Sequence, residues 1–359
     1  MSGAVARRGA GDEQAIELLD ALVGIPSPSG QEQAVAQAAA QWMAKLGLQA
    51  SVDAAGNAVG CLGDGHKRIL LLGHIDTVAG IVPLRREGDT LYGRGAVDAK
   101  GPFCTFIAAV SRLAAVPGWQ ICVVGAVEEE SATSKGARYI ARSMAPPEFV
   151  VIGEPSSWRR ITLGYKGRML IDYSLERSMT HTAGEAVSVA EQAFCFWQAI
   201  RVHADEWNAD KARRFETLDP SLRSIRTDTD GLSERVEMHL GLRLPPSLDV
   251  GDLRTFAMNQ AGAAELAFRG IESPYRGDKR NALTRAFLSS IREQGERASF
   301  VLKTGTSDMN VLGGVWQCPM VAYGPGDSAL DHTPQEHIQV SEYLAAIRVL
   351  EGALRRLTA

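Results

Sequence analysis

Five short strings in this chain place a histidine or a carboxylate where an apolar run stops. Leu72-Gly73-His74-Ile75-Asp76-Thr77 sets His74 just past a run of leucines. Asp98 sits in the glycine-bounded string Gly93-Arg94-Gly95-Ala96-Val97-Asp98-Ala99-Lys100-Gly101. Glu128-Glu129-Glu130 follows the apolar stretch 121–127, and Glu154 follows Val150-Val151-Ile152-Gly153. His332 lies in Asp331-His332-Thr333-Pro334, after the turn Gly324-Pro325-Gly326. Open α/β sheets place their sites at such strand ends. Singly, each string has a bland explanation: a structural histidine, a solvated acidic face, an ordinary turn. Together, two imidazoles and three carboxylates form a nitrogen-and-oxygen ligand set suited to zinc and related divalent metals.

To converge, these residues need a scaffold that brings several strand ends together. Helical spacing covers 12–24 and 31–46, separated by the loop Gly24-Ile25-Pro26-Ser27-Pro28-Ser29-Gly30. Buried-strand runs at 68–73, 119–127 and 149–153 alternate with helical patterns at 103–115 and 135–144. That alternation predicts an α/β fold whose catalytic domain has a mostly parallel sheet flanked by helices. The middle of the chain reads differently. Extended runs at 161–175, 236–244 and 264–269 interleave with helices at 185–207 and 253–259, and a polar, turn-rich stretch lies between. The α/β pattern resumes after Asn281 and ends in a helix over 341–357. The expected organisation is a discontinuous catalytic domain, 1–163 and 277–359, around an inserted α+β domain, 164–276.

The 359 residues suit two domains and provide ample core. A net charge of -4 gives no reason to expect nucleic acid or a membrane as partner. The N-terminus lacks the apolar core of a secretory signal, and no apolar run approaches membrane-spanning length, so the expected setting is the cytoplasm. Cys61, Cys104, Cys122, Cys195 and Cys318 are scattered and odd in number, with no C-x-x-C spacing. Five buried or half-buried thiols are expected.

The ordered strings resemble the motif set of a family of metallopeptidases and deacylases that includes acetylornithine deacetylase, succinyl-diaminopimelate desuccinylase and aminoacylase. The strings are His74-Ile75-Asp76-Thr77-Val78, Gly93-Arg94-Gly95 with Asp98 and Lys100-Gly101, the pair Glu129-Glu130, Gly153-Glu154-Pro155, and His332-Thr333-Pro334 with Glu336. The resemblance implies two divalent metal ions per chain, zinc first and cobalt as an alternative, bridged by Asp98. His74 and Glu154 would complete one site, Glu130 and His332 the other. It implies Asp76 as the carboxylate that orients His74, and Glu129 as the general base that moves a proton from the attacking water to the leaving amine. A shift of one residue in the glutamate triplet would instead make Glu128 the base and Glu129 the ligand.

The resemblance also implies that the insert is a lid that mediates a homodimer. His181, in Ser178-Met179-Thr180-His181-Thr182-Ala183, would reach the partner's site and stabilise the oxyanion. Arg243 would bind a substrate carboxylate. The strings 163–168, 303–311 and 323–332 look like those of LysW-lysine (or LysW-ornithine) hydrolases. Such enzymes release lysine or ornithine from the γ-carboxyl of a glutamate at the end of a small acidic carrier protein. The desuccinylase branch has an arginine where Asn310 stands, which disfavours a succinyl carboxylate at that substrate-binding position. The alternatives are a small-molecule N-acyl-lysine or N-acetylornithine deacetylase, a dipeptidase, or an inactive metal-binding scaffold. Lysine and ornithine differ by one methylene, too little for the residues alone to decide between them.

Overall fold

The structure is a computed structural model that describes residues 10–179 and 187–359. The chain divides into two compact units: Met1–Gly164, Gly277–Leu302 and Ser307–Ala359 in the first, Tyr165–Arg276 and Lys303–Thr306 in the second.

The first unit is built on a sheet whose strands run in the order Gln49–Val52, Ala58–Leu62, Trp119–Ala126, Lys67–His74, Phe149–Gly153, Met320–Ala322 and Arg160–Tyr165. Its four central strands, from Trp119–Ala126 to Met320–Ala322, are parallel, and those outside them pair antiparallel. The central strands carry continuous apolar runs because both faces are covered, as in parallel sheets generally. Gly125, Gly73 and Gly153 stand in register on three neighbouring strands. Phe103 and Phe106 of the helix Lys100–Ser111 press onto this glycine stripe. Every residue of that helix is buried, and a helix apolar nearly all round belongs inside a core. Its close approach carries the preceding Asp98 loop toward the ends of the strands.

A small sheet in the same unit sets one further register. Thr90–Tyr92 pairs with Arg85–Glu87 on one side and with His337–Gln339 on the other. His337 lies opposite Tyr92, so the chain before His337 is held against the chain after Tyr92. These are the His332 and Asp98 loops.

The second unit has an antiparallel sheet in the order Asp219–Thr229, Ser233–Leu244, Gly167–Ser178, Glu265–Glu272. Alternate residues of Gly167–Ser178 are buried, and Met169, Ile171 and Tyr173 pack with Phe196 and Ile200 of the helix Val189–Asn208. Ser188 and Glu191 form a capping box at the start of that helix.

Two expectations are corrected. The polar stretch before Val236 contains the strand Asp219–Thr229, exposed from Ser221 onward, so it lacks the alternation that betrays a half-buried strand. The five thiols are three: Cys61 and Cys122, register partners on antiparallel strands, form a disulfide. A separation of 61 residues gave no sign of that adjacency. Among the described residues no helix is long and apolar enough to cross a membrane.

Candidate functional site

His74 is the last residue of the strand Lys67–His74, and Glu154 follows the strand Phe149–Gly153 directly. The glutamate triplet follows Trp119–Ala126 by one residue, and Asp98 precedes the buried helix. The structure brings these together with His332. One ligand atom each from His74, Asp98 and Glu154 lies within 4.8 Å of the others, and so do atoms from Asp98, Glu130 and His332. Asp98 is common to these two groups, and His74, Glu129 and Glu130 form a third within the same distance. Its Oδ1 is 3.1 Å from His74 Nε2 and its Oδ2 is 3.0 Å from His332 Nε2. Glu130 Oε1 lies 2.8 Å from the same His332 nitrogen. The Asp98–Ala99 peptide is cis.

His74 Nδ1 donates to the carbonyl oxygen of Asp76 at 3.0 Å. A carbonyl only accepts, so Nδ1 carries the proton, and in the neutral ring Nε2 keeps its lone pair toward Asp98. The Asp76 carboxylate is 3.5 Å from Nδ1, and its nearer partners are elsewhere. Oδ1 accepts the backbone N–H of Glu129 and Oδ2 that of Glu130, both at 3.0 Å, and Ser29 Oγ donates to Oδ2 at 2.7 Å. Asp76 therefore positions the glutamate pair as much as the imidazole.

The three glutamate side chains of the triplet turn different ways. Glu128 has a left-handed backbone, φ 59°, and its carboxylate turns to Thr133 Oγ1 and Lys135. Glu129 Oε2 instead lies 4.0 Å from His74 Nε2. Two side chains without a sequence assignment hold this loop. Glu32 accepts the N–H of Glu128, and Asn57 accepts that of Val127. Their only sequence signal is their place beside a Pro/Gly/Ser loop and a turn.

The electrostatics are those of crowded anions. Burial raises the proton affinity of Glu129 well above the usual carboxylate range, and nearby Glu154, Asp308 and Glu130 add to it. Burial raises Glu130 too, against the pull of His332. Burial works the same way on Asp98, but the two imidazoles overcome it and hold Asp98 well below its ordinary value. Burial alone would depress His74, yet its bonds to Asp76 and Asp98 raise it well above 6.5. Bonds to Asp98 and Glu130 raise His332 to about 10. A cluster in which carboxylates draw protons onto both imidazoles is one that positive charge stabilises. Its donors are oxygen and imidazole nitrogen, without sulfur. That set fits divalent metal ions.

The remaining sequence candidates have contacts of their own. Asn310 is buried in the short helix Asp308–Gly313, where its Oδ1 accepts the Ser307 N–H at 2.9 Å as part of a capping box. Arg243 belongs to the second unit, where Nη1 donates to Thr306 Oγ1 at 2.7 Å. His181 lies outside the described residues.

A family model described as Peptidase family M20/M25/M40 matches residues 70–356. The chain is 48% identical over 358 residues to a LysW-lysine hydrolase of Deinococcus radiodurans, covering 96% of this chain and 97% of that protein. It is 28% identical to a LysW-lysine/LysW-ornithine hydrolase of Sulfurisphaera tokodaii, with 95% of each covered. Among solved structures, the aminopeptidase PepT from Bacillus cereus matches with a TM-score of 0.76 at 16% identity, over 97% of this chain and 99% of that one. An M20 family metallo-carboxypeptidase from Sulfolobus solfataricus matches with a TM-score of 0.74 at 18% identity, over 96% and 99%. These two likenesses carry the fold.

Proposed function

The chain belongs to peptidase family M20/M25/M40, and on that premise we propose that it hydrolyses a carrier-linked amide. The bond cleaved joins lysine, or ornithine, to the C-terminal glutamate γ-carboxyl of an amino-group carrier protein of the LysW type. The observation that carries this reading is the pair of ligand triads sharing Asp98, with Glu129 beside them, in a chain 48% identical to a LysW-lysine hydrolase.

In this reading His74, Asp98 and Glu154 hold one divalent ion, and Asp98, Glu130 and His332 the other. Zinc is the proposed metal, with cobalt accepting the same ligands. Bound there, the two ions would polarise the scissile carbonyl and ready a water for attack. Glu129 takes the proton from that water and delivers it to the amine as the C–N bond breaks. Asp76 keeps Glu129 and Glu130 in place through their backbone N–H groups. Arg243 is proposed to receive the carboxylate of the amino acid, through a guanidinium fork. Asn310 leaves that position without a cation for a succinyl group.

The second unit is proposed as the lid and as the surface through which two copies pair. Among the described residues the strand Asp219–Thr229 pairs with Ser233–Leu244 alone, and its Leu222 and Ile225 are exposed. The helix Val189–Asn208 exposes Phe194 and Val202. An open edge strand with apolar side chains is a template for pairing with a second chain. A cytoplasmic setting suits a biosynthetic hydrolase. Disulfides are uncommon there, so counting alkylatable thiols in freshly lysed cells tests the setting, five for a reducing compartment and three for an oxidising one.

The decisive assay presents metal-loaded enzyme with carrier-linked lysine, carrier-linked ornithine, acetyl-lysine and acetylornithine in parallel. Release of the free amino acid from the carrier at much higher kcat/KM than from either acetylated compound supports the assignment. The reverse order makes the protein a small-molecule deacetylase.

A further inference from the structure

Four residues beyond His332, Glu336 is almost fully buried, at 1% exposure. Its Oε1 accepts three backbone N–H groups, from Gly95 and Val97 at 3.0 Å and from Asp98 at 3.1 Å. Its Oε2 accepts from Arg94 Nη1 at 2.7 Å, and its own carbonyl accepts the Gly93 N–H at 3.2 Å. Arg94 in turn donates through Nε to the carbonyl of Gly80, at 3.2 Å. One side chain thus gathers the inner amides of the loop that ends in Asp98. It does so from the segment that carries His332, and the pairing of His337 with Tyr92 fixes the distance between the two.

We propose that Glu336 is a positioning residue for the metal centre: its carboxylate clamps the 93–98 loop so that the two Asp98 oxygens face His74 and His332 before any ion arrives. The inference rests on the reading of Asp98 as the shared ligand. The physical grounds are two. A loop amide with no strand partner must find an acceptor when buried, and here a single charged oxygen serves three of them. Charge-assisted bonds of this kind also restrict the backbone of a residue whose own side chain must point two ways. Because Asp98 belongs to both triads, disturbing the clamp disturbs both at once.

The test measures zinc binding to the metal-free protein by competition with a chelating dye. Glu336→Met, which removes both acceptor oxygens, is expected to weaken binding of both ions about tenfold to a hundredfold, the usual cost of losing a group that supports a ligand. Glu336→Gln keeps a carbonyl that can accept the three N–H groups and should recover part of the loss. Arg94→Met removes the ion pair and the bond to Gly80 but leaves the three N–H bonds to Glu336 Oε1, and should bind zinc nearly as the parent does. Wild-type affinity in Glu336→Met overturns the proposal, and so does an equal loss in Arg94→Met. A lower melting temperature of metal-free Glu336→Met with unchanged zinc affinity would mark a merely structural role and also overturns it. If Glu336→Met does not fold, hydrogen exchange on the metal-free parent decides. The amides of Gly95, Val97 and Asp98 should exchange as slowly as those of the central strands, and fast exchange overturns the clamp. Asp98→Ala is the separate control. If it retains two zinc ions, the shared-ligand reading itself fails. If it loses them while Glu336→Met does not, only the clamp fails.

Discussion

Asp98 facing two imidazoles gives the metal-free site a definite proton inventory. His332, held between Asp98 and Glu130, is raised to about 10 from an ordinary 6.5. The pairing therefore contributes stability that is complete below about pH 6.5 and fades as pH rises through about 10. At neutral pH the nitrogen that would bind an ion is protonated, so metal must displace a proton. Zinc affinity should rise with pH across the range 6.5 to 10. Calorimetric titrations in buffers of different ionisation heat should show proton release, and a pH-independent affinity would contradict it. The glutamate triplet gives the second prediction at this scale. Glu129→Gln should lower kcat by about 10²–10⁴-fold, the usual scale for removing a general base, with zinc content unchanged. Glu128→Gln should turn over nearly as the parent does, because Glu128 already spends its charge on Thr133 and Lys135. The reverse pattern would shift the base by one residue. Of the proposed ligands, His74, Glu130 and Glu154 stood out in the sequence because each closely follows a continuous apolar run, while Asp98 and His332 stood out only by the glycine- and proline-marked loops around them. The work of Asp76, Glu32, Asn57 and Glu336 was not legible, since each bonds to a backbone N–H, a partner that leaves no trace in side-chain types.

Among the elements, the glycine stripe governs how closely the helix Lys100–Ser111 lies on the sheet. A Cβ on Gly125 would come within 2.7 Å of Ile75 Cγ2 and of Phe103 Cζ, so both must move. Gly125→Ala is expected to cost about 1–3 kcal/mol, the range for overpacking a dense core. Urea unfolding measures it, with Gly314→Ala as the comparison. Gly314 has an ordinary φ of -73° and meets nothing closer than 3.5 Å, so its substitution should leave the midpoint near that of the parent. The parallel core was readable from period and length: runs such as 68–73 and 149–153 are too short for helices and too apolar for surface strands. The strand Asp219–Thr229 was not readable, because an edge strand with most side chains exposed has no alternation to show. The small sheet that registers the His332 loop was equally hidden, being made of three-residue strands.

For the molecule as a whole, the question is how many copies act together. If the edge Asp219–Thr229 joins two copies, a buried charge there should separate them. Ile225→Lys is expected to shift sedimentation from dimer to monomer at micromolar concentration, while each chain keeps its zinc. A parent that sediments as a monomer throughout that range removes the pairing proposal.

The way the first unit is threaded has a consequence for how the protein is made. Four of the five proposed ligands, His74, Asp98, Glu130 and Glu154, are synthesised before the second unit begins at Tyr165, whereas His332 follows it. The helix Lys100–Ser111, buried along its whole length, packs against the helix Val340–Thr358, and Tyr343 of the latter donates its hydroxyl proton to Ala15 at 2.9 Å. A nascent chain halted late in the insert thus holds His74, Asp98 and Glu154 without His332 or the Glu336 clamp, and its buried helix still lacks the cover supplied by Val340–Thr358. Such exposed surface is what aggregates in large proteins during folding. Synthesis of this enzyme therefore passes through a long interval in which apolar surface must be shielded from its neighbours before the proposed ligand set is whole.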